Sequence, residues 1–306
     1  MIFHYLKIAF RNLCKHKTQN IISIIGLAVG LLCFCVCIYC SRFVESTDHC
    51  FANHDRIAEL NLYDGKADRY FSGSPVPLAE DLRTWALGET EAISSVTYPR
   101  ERPYYVELSP EKTLPYELET IEIDTCYNKI FTPEMVAGHW KMASQSLNSV
   151  ILSQSMAIKI FGNAESAIGK HMTLMRRLNT SPESTPKTGG IVYTIQAVMK
   201  DIPLNNSLDF MQNIDMLTVN DSEGLLQSPK RHNMTGANTY VLLSPQTTCT
   251  DLEKQFSKRD YTYTLYGEAY TVTASSMGSR LKKQGASYLG LVTGTVGTLI
   301  LLVGLI

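Results

Sequence analysis

The chain has 306 residues and a mass of 34.2 kDa, enough for one large domain or two of ordinary size. Its formal net charge of -1 and its pI near 6.7 argue against a nucleic-acid-binding protein. The mean hydropathy of -0.05 conceals a segregation of apolar residues, because no charged residue occurs at 21–40 or at 285–306. Stretches of about 20 apolar residues can cross a hydrocarbon core of about 30 Å, so the sequence argues against a purely soluble protein.

Residues 1–20 are predicted to form a cytoplasmic amphipathic helix. Apolar side chains recur there at helical spacing, at Phe3, Leu6, Phe10 and Leu13. A second stripe beside them is basic and consists of Lys7, Arg11 and Lys15. Because the two stripes are in register, we expect this helix to lie on the anionic inner leaflet, with its basic face toward the membrane lipids. The alternative is a fraying basic tail that only sets the topology.

The apolar stretch that follows predicts a retained transmembrane helix at 21–42. It is longer than the 7–15-residue core of a signal peptide, and no A-x-A cleavage site follows it. Its N-terminal flank is basic and no acidic residue occurs before Glu45, so the positive-inside rule places the N-terminus in the cytoplasm. We therefore expect a multi-pass protein of the cytoplasmic (inner) membrane with a large extracytoplasmic domain. Arg280, Lys282 and Lys283 run against this orientation, but long segments translocate largely regardless of their charge.

Small side chains form a line along each apolar stretch, which we call the helix-packing seam. In the first stretch the seam consists of Ser23, Gly26, Gly30, Cys33, Cys37 and Cys40. In the second stretch it consists of Ser287, Gly290, Gly294 and Gly297. Small residues let helix backbones approach closely in lipid. The pattern predicts a second transmembrane helix at 285–306 and packing of both seams against other membrane helices, within one chain or across a dimer.

The cysteines of the first stretch are interpreted as small apolar residues. The alternative is binding of a soft metal, but cysteines on one helix cannot by themselves supply tetrahedral ligation. Between the two apolar stretches the cysteines are Cys50, Cys126 and Cys249, an odd number that allows at most one internal disulfide. A bond between Cys126 and Cys249 is one option that the sequence leaves open.

The middle of the chain predicts an α+β domain in which strands and helices alternate. Alternating or β-rich patterns predict strands at 56–63, 93–108, 239–244 and 261–273, and helices are predicted at 76–87 and 249–257. These elements form one β-α-β unit at each end of the domain. Between the two units the pattern is richer in strands, with strands predicted at 119–124 and 191–200. A short helix at 153–161 has Ser153 as its N-cap, and 179–190 is predicted to be a loop.

Three runs in the middle of the chain resemble the extracytoplasmic core of MacB/FtsX-type ABC transporter permeases. They are VILSQSMAIKIFG at 150–162, AIGK at 167–170 and YTIQAVMKDIP at 193–203. The N-terminal part agrees, with RNL at 11–13, NIISIIGLAVG at 20–30 and NHDRI at 53–57. The resemblance covers nearly the whole chain, in the order that the family uses.

This resemblance implies a membrane protein in which two transmembrane helices flank a mixed α/β extracytoplasmic domain. That domain spans 43–283, with porter-like β-α-β parts at 43–108 and 236–283 and an inserted β-rich subdomain at 109–235. The family also has more membrane helices, so the chain, which ends within an apolar run at Ile306, is expected to be the N-terminal part of a permease or a truncated product.

The resemblance implies the permease subunit of an ABC transporter, which works with a separate ABC ATPase subunit. A permease dimer and other export components are further expected partners, and nucleic acid is not. ATP hydrolysis in the cytoplasm would then move the outer domain, in export or mechanotransmission, through a hinge-like stalk at 46–55. One alternative is a membrane-anchored sensor or ligand-binding protein, and a second is a surface enzyme.

Motifs of catalysis and cofactor binding are absent from the sequence. The run GNAESAIGKH at 162–171 has six residues between its glycines and His after Lys, whereas a P-loop has four residues and then Ser or Thr. Asp48, His49, Cys50, His54 and Asp55 form the densest group of metal-ligand types, but their spacing fixes no ligand pair on a helix. We interpret that group as a polar stalk. The sequence therefore predicts no catalytic residue, no cofactor and no metal site.

Overall fold

The computed structural model describes residues 15, 17–71, 73–109, 112–174, 190–209, 211–222, 224–227, 235–265, 267–279, 281–283 and 285. By their internal contacts these residues divide into two units. We call Asp48–Ser279 the outer unit, and the described residues before and after it form the terminal unit.

The helices of the described residues are α1 Lys17–Glu45, α2 Leu78–Arg83, α3 Tyr127–Phe131, α4 Trp140–Gln145, α5 Gln154–Phe161 and α6 Cys249–Lys258. The strands of the first half are β1 Ile57–Asp64, β2 Arg69–Phe71, β3 Ser74–Pro75, β4 Thr90–Thr97, β5 Arg100–Ser109, β6 Lys112–Ile123 and β7 Met135–Gly138. Those of the second half are β8 Ser149–Ser153, β9 His171–Leu174, β10 Val192–Met199, β11 Met216–Val219, β12 Thr235–Leu243, β13 Thr262–Leu265 and β14 Glu268–Ser276.

Helix α1 of the terminal unit is long and apolar enough to cross a membrane. Its stretch Asn20–Glu45 has 26 residues, which rise by about 39 Å at 1.5 Å per residue. The mean hydropathy of its most apolar part is 2.9, and large apolar side chains such as Phe34 and Leu27 are exposed. The described residues contain one such helix.

The outer unit contains an antiparallel sheet with the strand order β13-β14-β1-β12-β4. Its first β-α-β unit is β1-α2-β4 and its second is β12-α6-β14, so the strands of the two units interleave in the split β-α-β, ferredoxin-like arrangement. Alternation along β1 directs Ala58, Leu60 and Leu62 toward the helices, where they pack with Leu82 of α2 and Phe256 of α6. The two predicted β-α-β units are therefore present.

The segment between β4 and β12 forms a second, closed sheet, which we call the barrel. Its strands follow the cycle β5-β6-β11-β8-β10-β9 and return to β5. The pairs β6–β11 and β8–β10 are parallel and the other four are antiparallel. Closure pairs both edges of each of these six described strands. The pair Val96–Ile123 joins β4 of the ferredoxin-like sheet to β6 of the barrel.

Apolar side chains that alternate along the strands fill the barrel. The fully buried ones include Tyr104, Leu118, Leu152, Met172, Tyr193 and Met216. The rings of Tyr104 and Tyr193 meet edge to face at 5.9 Å between centroids. Residues on the other side of the same strands, such as Ile121, Ile151 and Leu217, belong to a different core shared with α3 and the ferredoxin-like sheet.

Several predicted elements have different bounds in the structure. The strand predicted at 261–273 is a hairpin, β13 and β14, and Gly267 lies in the turn with a φ of +82°. The β-rich region predicted at 93–108 is divided into β4 and β5, and the helix predicted at 76–87 is the shorter α2. Because β5 pairs with β6 and β9, the β-rich part begins at Arg100 by strand pairing, instead of at 109. Local periodicity does not report which strand pairs with which.

Two predictions concern residues outside the described part of the chain. The amphipathic helix at 1–20 is one of them, because Lys7 and Arg11 are not described; Lys15 is helical and exposed. The second transmembrane helix at 285–306 is the other, since Gly285 is its one described residue. Most of the loop predicted at 179–190 also lies outside the described residues.

Candidate coupling site

The outer unit begins at a buried carboxylate, Asp48, which is 1% exposed and has a φ of +69°. Its Oδ1 accepts a hydrogen bond from the backbone N–H of Ser207 at 2.6 Å, and its Oδ2 accepts one from the Ser207 hydroxyl at 2.5 Å. The backbone N–H of Asp48 donates to the carbonyl of Asn205 at 3.0 Å. Hydrogen bonds to a carboxylate are stronger than those between neutral groups, so Asp48 fixes the start of the unit to the loop after β10.

The loop that holds Asp48 is ordered by its own buried amide, Asn206, which is fully buried. The Asn206 Oδ1 accepts from the N–H groups of Leu208 and Asp209 at 3.0 and 2.9 Å, and its Nδ2 donates to the carbonyl of Pro203 at 2.6 Å. This pattern is an Asx turn, which a short side-chain amide forms readily. Ser207 is therefore presented to Asp48 by a loop that is already folded.

The end of the outer unit meets the same carboxylate through Gly278. A Cβ at this position would come closer than 3 Å to Asp48 Oδ2 and to Ser207 Oγ, a separation that real Cβ atoms do not show. Its φ of +69° is also in the left-handed region that favours glycine. Three segments, the entry of the outer unit, the loop after β10 and the exit after β14, thus converge on Asp48. We call Asp48, Ser207 and Gly278 the coupling site.

The residues that follow Asp48 are docked on the body of the outer unit. Phe51 is 4% exposed and packs edge to face against Phe131 of α3, with 5.0 Å between ring centroids. Asn53 donates to the carbonyl of Ile130 at 3.3 Å. Arg56 donates to the carbonyl of Leu243 at 3.0 Å, to Glu91 at 2.8 Å and to Asn53 at 3.2 Å. Of the stalk predicted at 46–55, the structure therefore docks Asp48, Phe51 and Asn53 on the body of the outer unit.

The group of metal-ligand types in this stalk has other contacts. The rings of His49 and His54 stack at 4.5 Å, and His54 Nδ1 lies 3.0 Å from Asp55 Oδ1. Desolvation and the nearby carboxylate of Asp48 raise the pKa of the Cys50 thiol to about 11, so this thiol is protonated at neutral pH. Within the described residues, no group of three or more His, Cys, Asp or Glu side chains is arranged to hold a metal ion.

The seam residues of α1 lie on one side of the helix. Among residues 21–40 with described side chains, the partly buried ones are Gly26, Gly30, Cys33 and Cys37, whereas Cys40 is exposed. Ser23 is helical, and the seam residues of the second stretch, Ser287, Gly290, Gly294 and Gly297, lie outside the described part of the chain. Gly285 lies against Val44 of α1, so closely that a Cβ would need the valine to shift.

The structure also places two of the cysteines, the P-loop-like run and the N-cap singled out by the sequence. Cys126 and Cys249 are both free thiols. In the P-loop-like run, Gly162 ends α5 with a φ of +86°, and Gly169 donates its N–H to the carbonyl of Ile195 at 2.8 Å. The predicted N-cap is confirmed, because Ser153 Oγ accepts from the N–H of Met156.

Sequence reasoning missed Ser207, Gly278 and the buried acid Glu122 of β6. Asn206 and Ser207 follow Pro203 in a run typical of turns, which was a usable signal for a structured loop. Glu122 stands between Ile121 and Ile123, where strand alternation places a carboxylate on the face opposite to its apolar neighbours. No local pattern reveals that Gly278 meets Asp48, because the contact joins the two ends of the outer unit.

Comparisons with known proteins give matches in structure. No protein-family model matches the chain, and no curated protein sequence matches it. A domain of a protein described as a permease from Porphyromonas gingivalis aligns with a TM-score of 0.54 and 21% identity, over 74% of this chain and 93% of that domain.

Two further matches are weaker in TM-score. The periplasmic region of MacB from Actinobacillus actinomycetemcomitans has a TM-score of 0.46 and 13% identity, over 76% of this chain and 92% of that one. The extracellular domain of the noncanonic ABC-type transporter YknZ from Gram-positive bacteria has a TM-score of 0.43 and 11% identity, over 72% and 99%. By this likeness, the chain shares the fold of the Porphyromonas gingivalis domain over most of its length.

Proposed function

We propose that this chain is a permease subunit of an ABC transporter, in which ATP hydrolysis by a partner subunit in the cytoplasm moves the outer domain. The fold of the outer unit and the apolar helix α1 support this proposal. The observation that carries it is the coupling site, because the Asp48 carboxylate at the entry of the outer unit binds Ser207 and lies against Gly278 at the exit. The function would be export or mechanotransmission, without a reaction catalysed by this chain.

The proposed membrane arrangement follows the sequence. The N-terminus would lie in the cytoplasm with the basic face of Lys7, Arg11 and Lys15 on the inner leaflet, α1 would span the membrane, and 285–306 would return through it. The seams of both helices would pack within the chain or across a permease dimer. The domain division into a porter-like part and an inserted β-rich part belongs to the same proposal.

The mechanism rests on a docked stalk. Asp48 follows the last residue of α1, Glu45, after two intervening residues, so a displacement of α1 acts on the outer unit through a short piece of chain. Phe51, Asn53 and Arg56 bind this piece to α3 and to the end of β12. A displacement of this piece of chain would therefore be transmitted to α3 and to the ferredoxin-like sheet, whereas a flexible hinge would absorb it.

The experiment is reconstitution of the protein in nanodiscs with ABC-type ATP-hydrolysing subunits from its own organism. Copurification and ATPase activity report the partnership. Hydrogen exchange of the loop at 203–209, measured with and without vanadate-trapped nucleotide, reports movement of the outer unit. We expect trapped nucleotide to change the exchange of this loop in the wild type, and to have no effect in Asp48→Ala although the ATPase stays bound.

The matched control is Asp55→Ala, which removes a carboxylate of the same stalk whose side chain is 89% exposed. It should leave the nucleotide effect intact. If no ATPase copurifies, the transporter assignment fails and the sensor alternative gains support. If an ATPase binds but Asp48→Ala responds to nucleotide as the wild type does, the coupling site is not the route of transmission.

A further inference from the structure

One end of the barrel contains a buried acid, Glu122 of β6, that the proposed function does not use. Its side chain faces the barrel interior opposite Thr218 of β11, and both residues are buried, with 3% and 0% exposure. The Glu122 backbone N–H donates to Thr97 Oγ1 at 2.9 Å, which fixes the end of β6 beside β4. Glu122 is therefore held at the junction of the barrel and the ferredoxin-like sheet.

A short segment, residues 224–227, covers this carboxylate. Glu122 Oε2 accepts from the N–H of Leu225 at 2.6 Å, and Oε1 accepts from the N–H of Leu226 at 2.9 Å. Gly224 lies so close to the Glu122 carboxylate that a Cβ would collide with it. We call this segment the latch, because hydrogen bonds to one side chain attach it to the barrel.

Among the described residues, the latch also has an apolar attachment. Leu225 and Leu226 pack with Val76 and Ala237, which form a core cluster of four buried residues separate from the three large cores. A satellite cluster of this size protects its backbone less than a main core does, so local opening here is expected at a lower free energy than opening of the main cores. A cleft of about 240 Å³ lies beside the latch, and its lining includes Glu122, Leu226 and residues of α2.

Charged groups face Glu122 from each neighbouring element. Asp221 precedes the latch, and Arg102 of β5 lies 3.8 Å from the Asp221 carboxylate. Across the cleft, α2 contributes Glu80 and Arg83, and the guanidinium of Arg83 binds Asp124 at the end of β6. Arg100 of β5 points to the region of Gly236 beside Leu225. Within the described residues no lysine or arginine is within ion-pairing distance of Glu122, and the positive charges named here contact other groups.

The surroundings of Glu122 favour its protonated form more than water does. Burial removes water from the carboxylate and raises its pKa, and the nearby charge of Asp221 raises it further. The two N–H donors of the latch and Arg102 act in the opposite direction. Burial prevails, so the pKa rises from 4.5 to about 7.

We propose that Glu122 and residues 224–227 form a proton-controlled latch, which is closed over the end of the barrel while the carboxyl is protonated and released when it ionises. The reason is linkage: the state that binds a proton more tightly is favoured at low pH. A protonated Glu122 buries no charge, and its carbonyl oxygen keeps one of the two hydrogen bonds from the latch. An ionised Glu122 gains hydration when the latch opens, and the cleft widens around Glu122, Asp221 and Glu80.

The size of the effect follows from the two pKa values. With a pKa of 4.5 in the open state and about 7 in the closed state, the opening equilibrium rises about 70-fold between pH 5 and pH 8. The experiment is hydrogen exchange by mass spectrometry on the full chain in nanodiscs, corrected for intrinsic exchange, on peptides that contain Leu225 and Leu226. We expect protection there to fall about 70-fold from pH 5 to pH 8 in the wild type.

The decisive variant is Glu122→Gln, which is neutral at every pH and should keep the same protection at pH 5 and pH 8. The control is Glu107→Gln, which removes an exposed acid from β5 and should retain the wild-type fall. Constant protection in the wild type, or an equal fall in Glu122→Gln, overturns the proposal.

A second variant covers the case in which Glu122→Gln does not fold. Asp221→Asn removes one of the charges that raise the pKa of Glu122, so the midpoint of the protection change should move to lower pH. A midpoint that stays in place or moves to higher pH counts against the latch.

Discussion

Gly278 lies directly against the carboxylate of Asp48, so the second-last and the first residue of the outer unit meet at one point. Ser207 donates to both oxygens of the same carboxylate. We therefore expect a displacement at the entry of the outer unit to reach its exit through this contact.

We predict that Gly278→Ala destabilises the outer unit by about 2–5 kcal/mol. The left-handed backbone alone costs roughly 1–2 kcal/mol for a residue with a Cβ, and the collision with Asp48 and Ser207 adds about 1–3 kcal/mol. Thermal unfolding followed by tryptophan fluorescence measures this, because both tryptophans, Trp85 and Trp140, lie in the outer unit.

The matched control for Gly278 is Gly162→Ala. Gly162 also has a positive φ, +86°, but a Cβ there would meet nothing within 4 Å. It should cost about 1–2 kcal/mol, the backbone cost alone. Equal losses in the two variants would contradict a close contact at Asp48.

The pH dependence of stability should also reveal Glu122. Its folded pKa of about 7 exceeds the unfolded value of 4.5, so its contribution to the free energy of unfolding is largest below pH 4.5 and falls as pH rises to 7. Between pH 5 and pH 8 the loss is roughly 2–3 kcal/mol. Glu119, Asp209 and Asp215 also have raised pKa values and contribute in the same direction. Subtracting the pH dependence of Glu122→Gln from that of the wild type isolates the contribution of Glu122. Melting temperatures of both proteins at pH 5 and pH 8 measure this difference. An equal change of melting temperature in the two proteins would argue against a buried Glu122 that titrates.

Two buried tyrosines of one core should respond in opposite directions when their hydroxyls are removed. The Tyr127 hydroxyl has no hydrogen-bond partner among the described residues, so Tyr127→Phe should be neutral or stabilise by about 1 kcal/mol. The Tyr240 hydroxyl accepts from Asn238 at 3.2 Å, so Tyr240→Phe should destabilise by about 1 kcal/mol. The melting temperatures of the two variants and the wild type measure these changes in stability. An equal loss of stability in both variants would contradict the difference between the two hydroxyls.

The helix-packing seam makes a prediction about assembly. Gly30→Leu and Gly294→Leu each place a large side chain where the seams are proposed to meet, so association of the membrane helices should weaken. A membrane two-hybrid assay measures association, and Leu32→Ala, an exposed residue of α1 outside the seam, is the control. Unchanged association in the seam variants removes the seam as a packing surface.

The sequence by itself determined the elements whose signals are local. An uncharged stretch at 21–40 predicted the helix that is α1, and Ser153 marked the start of α5 because a cap acts within one turn. The β-α-β units at both ends of the outer unit could also be predicted, since alternation and helical spacing are properties of neighbouring residues. The fold class followed from these elements.

Only the tertiary structure decided which strands meet and which side chains face each other. The barrel closes because β6 and β11, about 100 residues apart in the chain, pair in parallel, and no local period specifies that register. The coupling site has the same origin, since Asp48, Ser207 and Gly278 belong to three distant segments. The role of Glu122 was also hidden, because the energy of a carboxylate depends on the water that surrounding segments exclude, and those segments come together only in the folded outer unit.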